Sequence, residues 1–75
     1  MSNHELNLRG VACPMNFVKT RLYLDKLESG DVIKVYLDAG EPVESVSSSI
    51  EADGHSVVEN EEVEAGVFCL TIRKN

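Results

Sequence analysis

The chain has 75 residues and a formal net charge of −6. A domain this short buries only about 60 % of its unfolded surface, so it has little room for a deep pocket, and any chemistry belongs on a loop or a helix end. Seven scattered Lys and Arg residues among 13 Asp and Glu argue against direct nucleic-acid binding. No apolar run approaches the ~20 residues of a membrane span. An acidic surface suits docking onto basic protein partners.

The first residues, Met1 to Glu5, are polar and lack the apolar centre of a signal peptide, so the sequence reads as cytoplasmic. Leu6 and Leu8 alternate with Glu5, Asn7 and Arg9, the pattern of a short half-buried strand. A glycine-containing turn, Arg9-Gly10-Val11-Ala12, leads to Cys13-Pro14. Proline is favoured at the first helical position, which predicts a helix from Pro14 to about Glu28 with Cys13 as its N-cap. A thiol there faces unpaired N–H groups and the positive end of the helix dipole. Such a setting lowers a thiol pKa from about 8.5 into the range of roughly 3.5–7.5. Cys13 is therefore either a nucleophilic thiolate or a small apolar filler at a tight turn.

Within this helix Phe17, Thr20, Leu24 and Leu27 share a narrow arc expected to face a sheet. Met15, Val18 and Leu22 lie on roughly the opposite side. They form either a partner-docking stripe or a patch covered by a loop or terminus. Ser29-Gly30 ends the helix. Val32 to Leu37 reads as the second strand, Asp38-Ala39-Gly40 as a loop, and Glu41-Pro42 as the start of a second helix that closes at Asp53-Gly54. His55 to about Asn60 reads as the third strand and Val67 to Arg73 as the fourth, with the acidic stretch Glu59 to Glu64 expected as a loop or frayed hairpin. The order β-α-β-α-β-β predicts an α/β two-layer sandwich in one domain, residues 1–75: a mixed four-stranded sheet with both helices on one face.

The remaining candidates are weaker. His4, His55, Cys13 and Cys69 fall into no paired ligand spacing, so no metal site is expected. Two distant cysteines make no disulfide framework, and the cytosol keeps them reduced. Cys69 is expected on the sheet face away from the helices, in a structural role.

The run Leu6-Asn7-Leu8-Arg9-Gly10-Val11-Ala12-Cys13-Pro14 resembles the signature of the TusA/SirA-like family of small sulfur carriers: a short strand, a glycine turn, then Cys-Pro-x-Pro opening a helix. Leu27 to Asp31 and Asp38 to Pro42 fit the same family pattern, as does the element order, so the resemblance covers nearly the whole chain. It implies a sulfurtransferase acting as a persulfide carrier, without organic cofactor or metal. Cys13 would be the persulfide-bearing nucleophile. The donor would be a cysteine desulfurase or rhodanese-like protein. The acceptor would be a protein serving tRNA thiolation, cofactor assembly or sulfur oxidation. Pro14, Met15 and Asn16 form the helix N-terminus, and Arg9 and Gly10 are accessory candidates, with an exposed strand-end role for Arg9 left open. A carrier that meets two partners in turn is expected to be a monomer or weak dimer.

One position departs from the pattern. Asn16 stands where the family's second proline is usual. Its N–H is expected to aim at the N-cap side chain and lower the Cys13 pKa, and its side chain to reach back toward the Cys13 N–H. Two other readings stay open. One is a non-catalytic module of the same fold that docks on a transporter or enzyme subunit; the other is a redox sensor using Cys13.

Overall fold

The computed structural model describes residues 4–12 and 14–75. Its elements are β1 (His4–Asn7), α1 (Met15–Asp25), β2 (Val32–Asp38), α2 (Glu41–Ala52), β3 (Ser56–Glu64) and β4 (Val67–Arg73). The sheet order is β1-β2-β4-β3, with β1 parallel to β2 and β4 antiparallel to both β2 and β3. This is the mixed four-stranded sheet with two helices read from the sequence.

Period-two alternation builds the core. Ile33, Val35 and Leu37 of β2 and Leu70 and Ile72 of β4 are fully buried with Leu24, Val46 and Ile50 of the helices. Among the described residues no helix covers the reverse face of the sheet. Leu27, placed after α1, closes the core at one end.

The larger departures from the sequence reading are at both ends of α1 and at the end of β3. α1 starts at Met15 rather than Pro14, because Pro14 sits at φ −92° and ψ 5°, outside the helical well. It stops at Asp25 rather than about Glu28, because the Lys26 and Leu27 N–H groups turn to the i−3 carbonyls of Tyr23 and Leu24. The acidic stretch Glu59 to Glu64 is strand, not loop. β3 pairs with β4 along its length apart from register shifts at Val58 and Val63, and it accommodates its charges because it is an edge strand whose side chains meet water.

The chain end secures α1. The Lys74 ammonium donates to the Leu27 carbonyl at 2.6 Å, and the main chain of Lys74 bonds to Gly30 and Asp31. Lys74→Met keeps the aliphatic stem but leaves that carbonyl unpaired. The expected loss is about 1.5 kcal/mol in urea unfolding, and a loss under about 0.3 kcal/mol contradicts the capping role.

Candidate functional site

The candidate site is the segment from Leu8 to the first turn of α1. The Leu8 N–H donates to the Tyr36 carbonyl at 2.8 Å, extending the parallel pairing beyond β1. The Val11 N–H then closes a four-residue turn on the Leu8 carbonyl at 3.1 Å, with Gly10 at φ 77° in its third position. A positive φ there suits glycine, which has no Cβ to clash. The Gly10 N–H donates to Asp38 Oδ2 at 2.8 Å, which pins the turn to the end of β2. The turn and the start of α1 therefore lie beyond the C-terminal ends of the two parallel strands, the position at which open α/β sheets present ligands. Cys13 lies outside the described residues.

Pro14 and Met15 are exposed and Asn16 is fully buried. The expectation for the Asn16 N–H is corrected: it donates to the Ala12 carbonyl at 3.2 Å, the ordinary closure of a helical turn. Its side-chain Oδ1 accepts the Phe17 N–H at 2.7 Å, so the amide serves the helix start. Thr20 Oγ1 donates to the Asn16 carbonyl at 2.8 Å, and Asn16 Nδ2 has no hydrogen-bond partner among the described residues. The sequence reading placed Thr20 on the buried arc but missed Asn16, although residues 16, 20 and 24 fall four apart, on one helical row. In Asn16→Pro two hydrogen bonds disappear together with one buried orphan donor. Opposed terms of about 2 kcal/mol for the two bonds and about 1–3 kcal/mol for the orphan donor leave a net change of about 1 kcal/mol or less in urea unfolding. A loss above about 3 kcal/mol would show that the amide is indispensable to the fold.

Around the other side of α1, Met15, Val18 and Leu22 are 50 %, 37 % and 58 % exposed. The stripe read from spacing is open to solvent. Lys19 and Arg21 are also exposed on this helix.

Arg9 turns onto the helix-free sheet face. Its Nε donates to Asn7 Oδ1 at 3.3 Å, and its guanidinium lies 3.7 Å from Glu64 Oε1. On the same face the Tyr36 hydroxyl donates to Glu5 Oε2 at 3.0 Å, which raises the Tyr36 pKa above 10.0. Beside Tyr36 in the register, Cys69 is buried, and desolvation raises its thiol pKa above 9.0. Cys69 thus stays a protonated thiol near neutral pH. Both folded-state values lie above the unfolded ones, so the stability these groups lend is complete below pH 9.0 and is lost as pH rises through the folded values. Denaturation midpoints between pH 7 and 11 are expected to hold level and then fall above about 9, less steeply in Cys69→Ala. His4 Nε2 lies 4.0 Å from Asp31 Oδ2, at the far end of β1. Among the described residues no group of three His, Cys, Asp or Glu could hold a metal ion. No helix among them is long and apolar enough to cross a membrane.

Residues 4–74 match the family model for sulfurtransferase TusA. The chain belongs to the TusA family. It is 34 % identical over 73 residues to a proposed sulfur carrier protein of Archaeoglobus fulgidus, covering 97 % of this chain and 83 % of that one. A proposed sulfur carrier protein of Thermotoga maritima is 33 % identical over 58 residues, covering 77 % of this chain and 73 % of that one. The crystal structure of a SirA-like protein from Desulfitobacterium hafniense superposes with a TM-score of 0.81 at 26 % identity, over 92 % of this chain and 93 % of that one. The TusA/SirA-like resemblance carried by Leu6 to Pro14 is thereby shown, and so is the fold it implied.

Proposed function

We propose that this chain is a sulfur carrier that holds sulfane sulfur as a persulfide on Cys13 and relays it between proteins. The observation that carries the reading is the TusA-family match over residues 4–74, which takes in Cys13 and the pinned turn before it. The Cys13 thiolate attacks the outer sulfur of a donor persulfide. The new S–S bond forms as the donor's own S–S bond breaks, and the electron pair leaves with the donor thiolate. One sulfane sulfur moves and nothing is oxidised or reduced overall. An acceptor thiolate repeats the step on the Cys13 persulfide. No cofactor enters either exchange.

The donor is a cysteine desulfurase or rhodanese-like protein in the cytoplasm, and the single domain works as a monomer or weak dimer. Met15, Val18 and Leu22 on the helix that Cys13-Pro14 opens supply the contact surface for both partners, since open apolar patches on small domains mark such contacts.

The direct test is intact mass without reductant, after incubation with a cysteine desulfurase, its cofactor and cysteine, or with a rhodanese and thiosulfate. A gain of one sulfur atom that reductant removes is expected. A chain that stays bare with both donors, and whose Cys13 alkylates no faster than an ordinary thiol, belongs to the binding-module reading instead.

A further inference from the structure

We infer that the helix-free sheet face holds a second docking site, which seats an arginine side chain from an extended segment of a partner protein. A hollow of about 290 Å³ opens there, lined by Glu5, Asn7, Arg9, Tyr36, Val63, Glu64 and Val67.

The lining is more than a solvated polar face. Val63 stands at an irregularity in the β3–β4 register, between Glu62 and Glu64, and remains 46 % exposed. Bulges redirect side chains, and this one leaves an apolar group between the acidic residues Glu62 and Glu64. With Val67 and the Tyr36 ring it gives the hollow an apolar lining for an aliphatic stem and a flat guanidinium.

The charges choose the occupant. Two carboxylates, Glu5 and Glu64, share the hollow with one cation, Arg9. Glu5 accepts only the neutral Tyr36 hydroxyl in the bonds described and joins no ion pair among the described residues. Arg9 already shows the chemistry the hollow accepts, since its guanidinium lies against Asn7 Oδ1 and near Glu64. That exposed 3.7 Å pair is weak, so an incoming guanidinium can displace it and pair with Glu64, while Glu5 adds negative charge across the hollow. In the register Glu5 stands beside Lys34, Lys34 beside Thr71 and Thr71 beside Glu59, while Glu61 lies beside Cys69, so on this face the carboxylates outnumber the cations. An extended basic segment meets a complementary surface there, whereas an acidic one or a nucleic acid meets repulsion.

The hollow also adjoins the turn that leads to Cys13. Arg9 lines the hollow, and its neighbour Gly10 is pinned to Asp38. A partner seated here approaches from the sheet, leaving the Met15, Val18 and Leu22 stripe free. The inference does not rest on sulfur carriage.

The test uses an isotope-labelled Cys13→Ala chain, which cannot carry sulfur, and nuclear magnetic resonance titration with a nine-residue peptide alternating Arg and Val. Saturable shifts are expected at Asn7, Arg9, Tyr36, Val63 and Val67. Binding should weaken roughly tenfold in the Glu5→Gln, Glu64→Gln double variant. It should weaken again on raising salt from about 50 to about 300 mM, and be unchanged in Leu22→Glu. Both glutamates are exposed, and the amide introduced by Glu5→Gln can still accept the Tyr36 hydroxyl, so the double variant is expected to fold. No saturable shift at millimolar peptide overturns the inference. So do equal affinity in the double variant, shifts confined to the α1 stripe, or equal binding of a peptide alternating Glu and Val.

Discussion

Leu70→Ala is expected to lower the unfolding free energy by about 2–5 kcal/mol. Leu70 lies in β4, between β2 and β3, opposite Val35 on one side and Asn60 on the other, and has no exposed surface. Truncation removes apolar contact with both layers and leaves a cavity that a close-packed core fills only in part. A chain of this length has a total stability of only about 4–11 kcal/mol, so one truncation removes a large share of it. The midpoint of thermal unfolding should fall by roughly 8–40 °C, given about 4–8 °C per kcal/mol at this size. Val32→Ala is the companion measurement. Val32 is 39 % exposed on the same sheet, and its truncation should cost about 0.5 kcal/mol or less. A drop of under about 1 kcal/mol for Leu70→Ala would mean that the two layers are held together elsewhere.

The two-layer architecture was legible because local signals agreed with the global one. Strong alternation in Val32 to Leu37 and Val67 to Arg73, and Gly-bounded helical spacing around Val43, Val46 and Ile50, point to the same sandwich. β3 was only half legible. Its register shifts beside Val58 and Val63 interrupt the period of two, and its four consecutive polar residues, Asn60 to Glu62 with Glu59, carry no apolar face. Its strand state comes from pairing with β4, which no local pattern encodes. The candidate site divides in the same way. The turn at Gly10 and the helix start follow from neighbouring residues. The contacts of Arg9 with Glu64, Tyr36 with Glu5 and Gly10 with Asp38 join residues far apart in sequence and emerge only once the sheet is assembled. Asn16 could have been placed in the core by its spacing from Thr20 and Leu24. Its amide side chain was read instead as a cap reaching back toward the Cys13 N–H, because unpaired buried amides are rare.

Cys13→Ala is expected to abolish sulfur loading outright, while Cys69→Ala leaves it intact. The physical ground lies in the contrast between the two thiols. Cys69 is buried in the sheet and its thiol is held protonated by desolvation, so it offers neither access nor thiolate. It should alkylate near neutral pH only through opening of the fold, roughly 10³-fold slower than an exposed thiol. The native chain should thus show one fast thiol and one slow one, and both should react fast in denaturant. Cys13→Ala should remove the fast phase together with the added sulfur mass. Cys69→Ala should keep both. If Cys69 gained sulfur in the Cys13→Ala chain, the sheet would have to open on the timescale of loading, and persulfide carriage could not be assigned to Cys13. If instead Cys13→Ala abolished loading but the fast thiol proved to be Cys69, burial would have failed to suppress its reactivity, and the β4 packing that also predicts the Leu70→Ala loss would be in error.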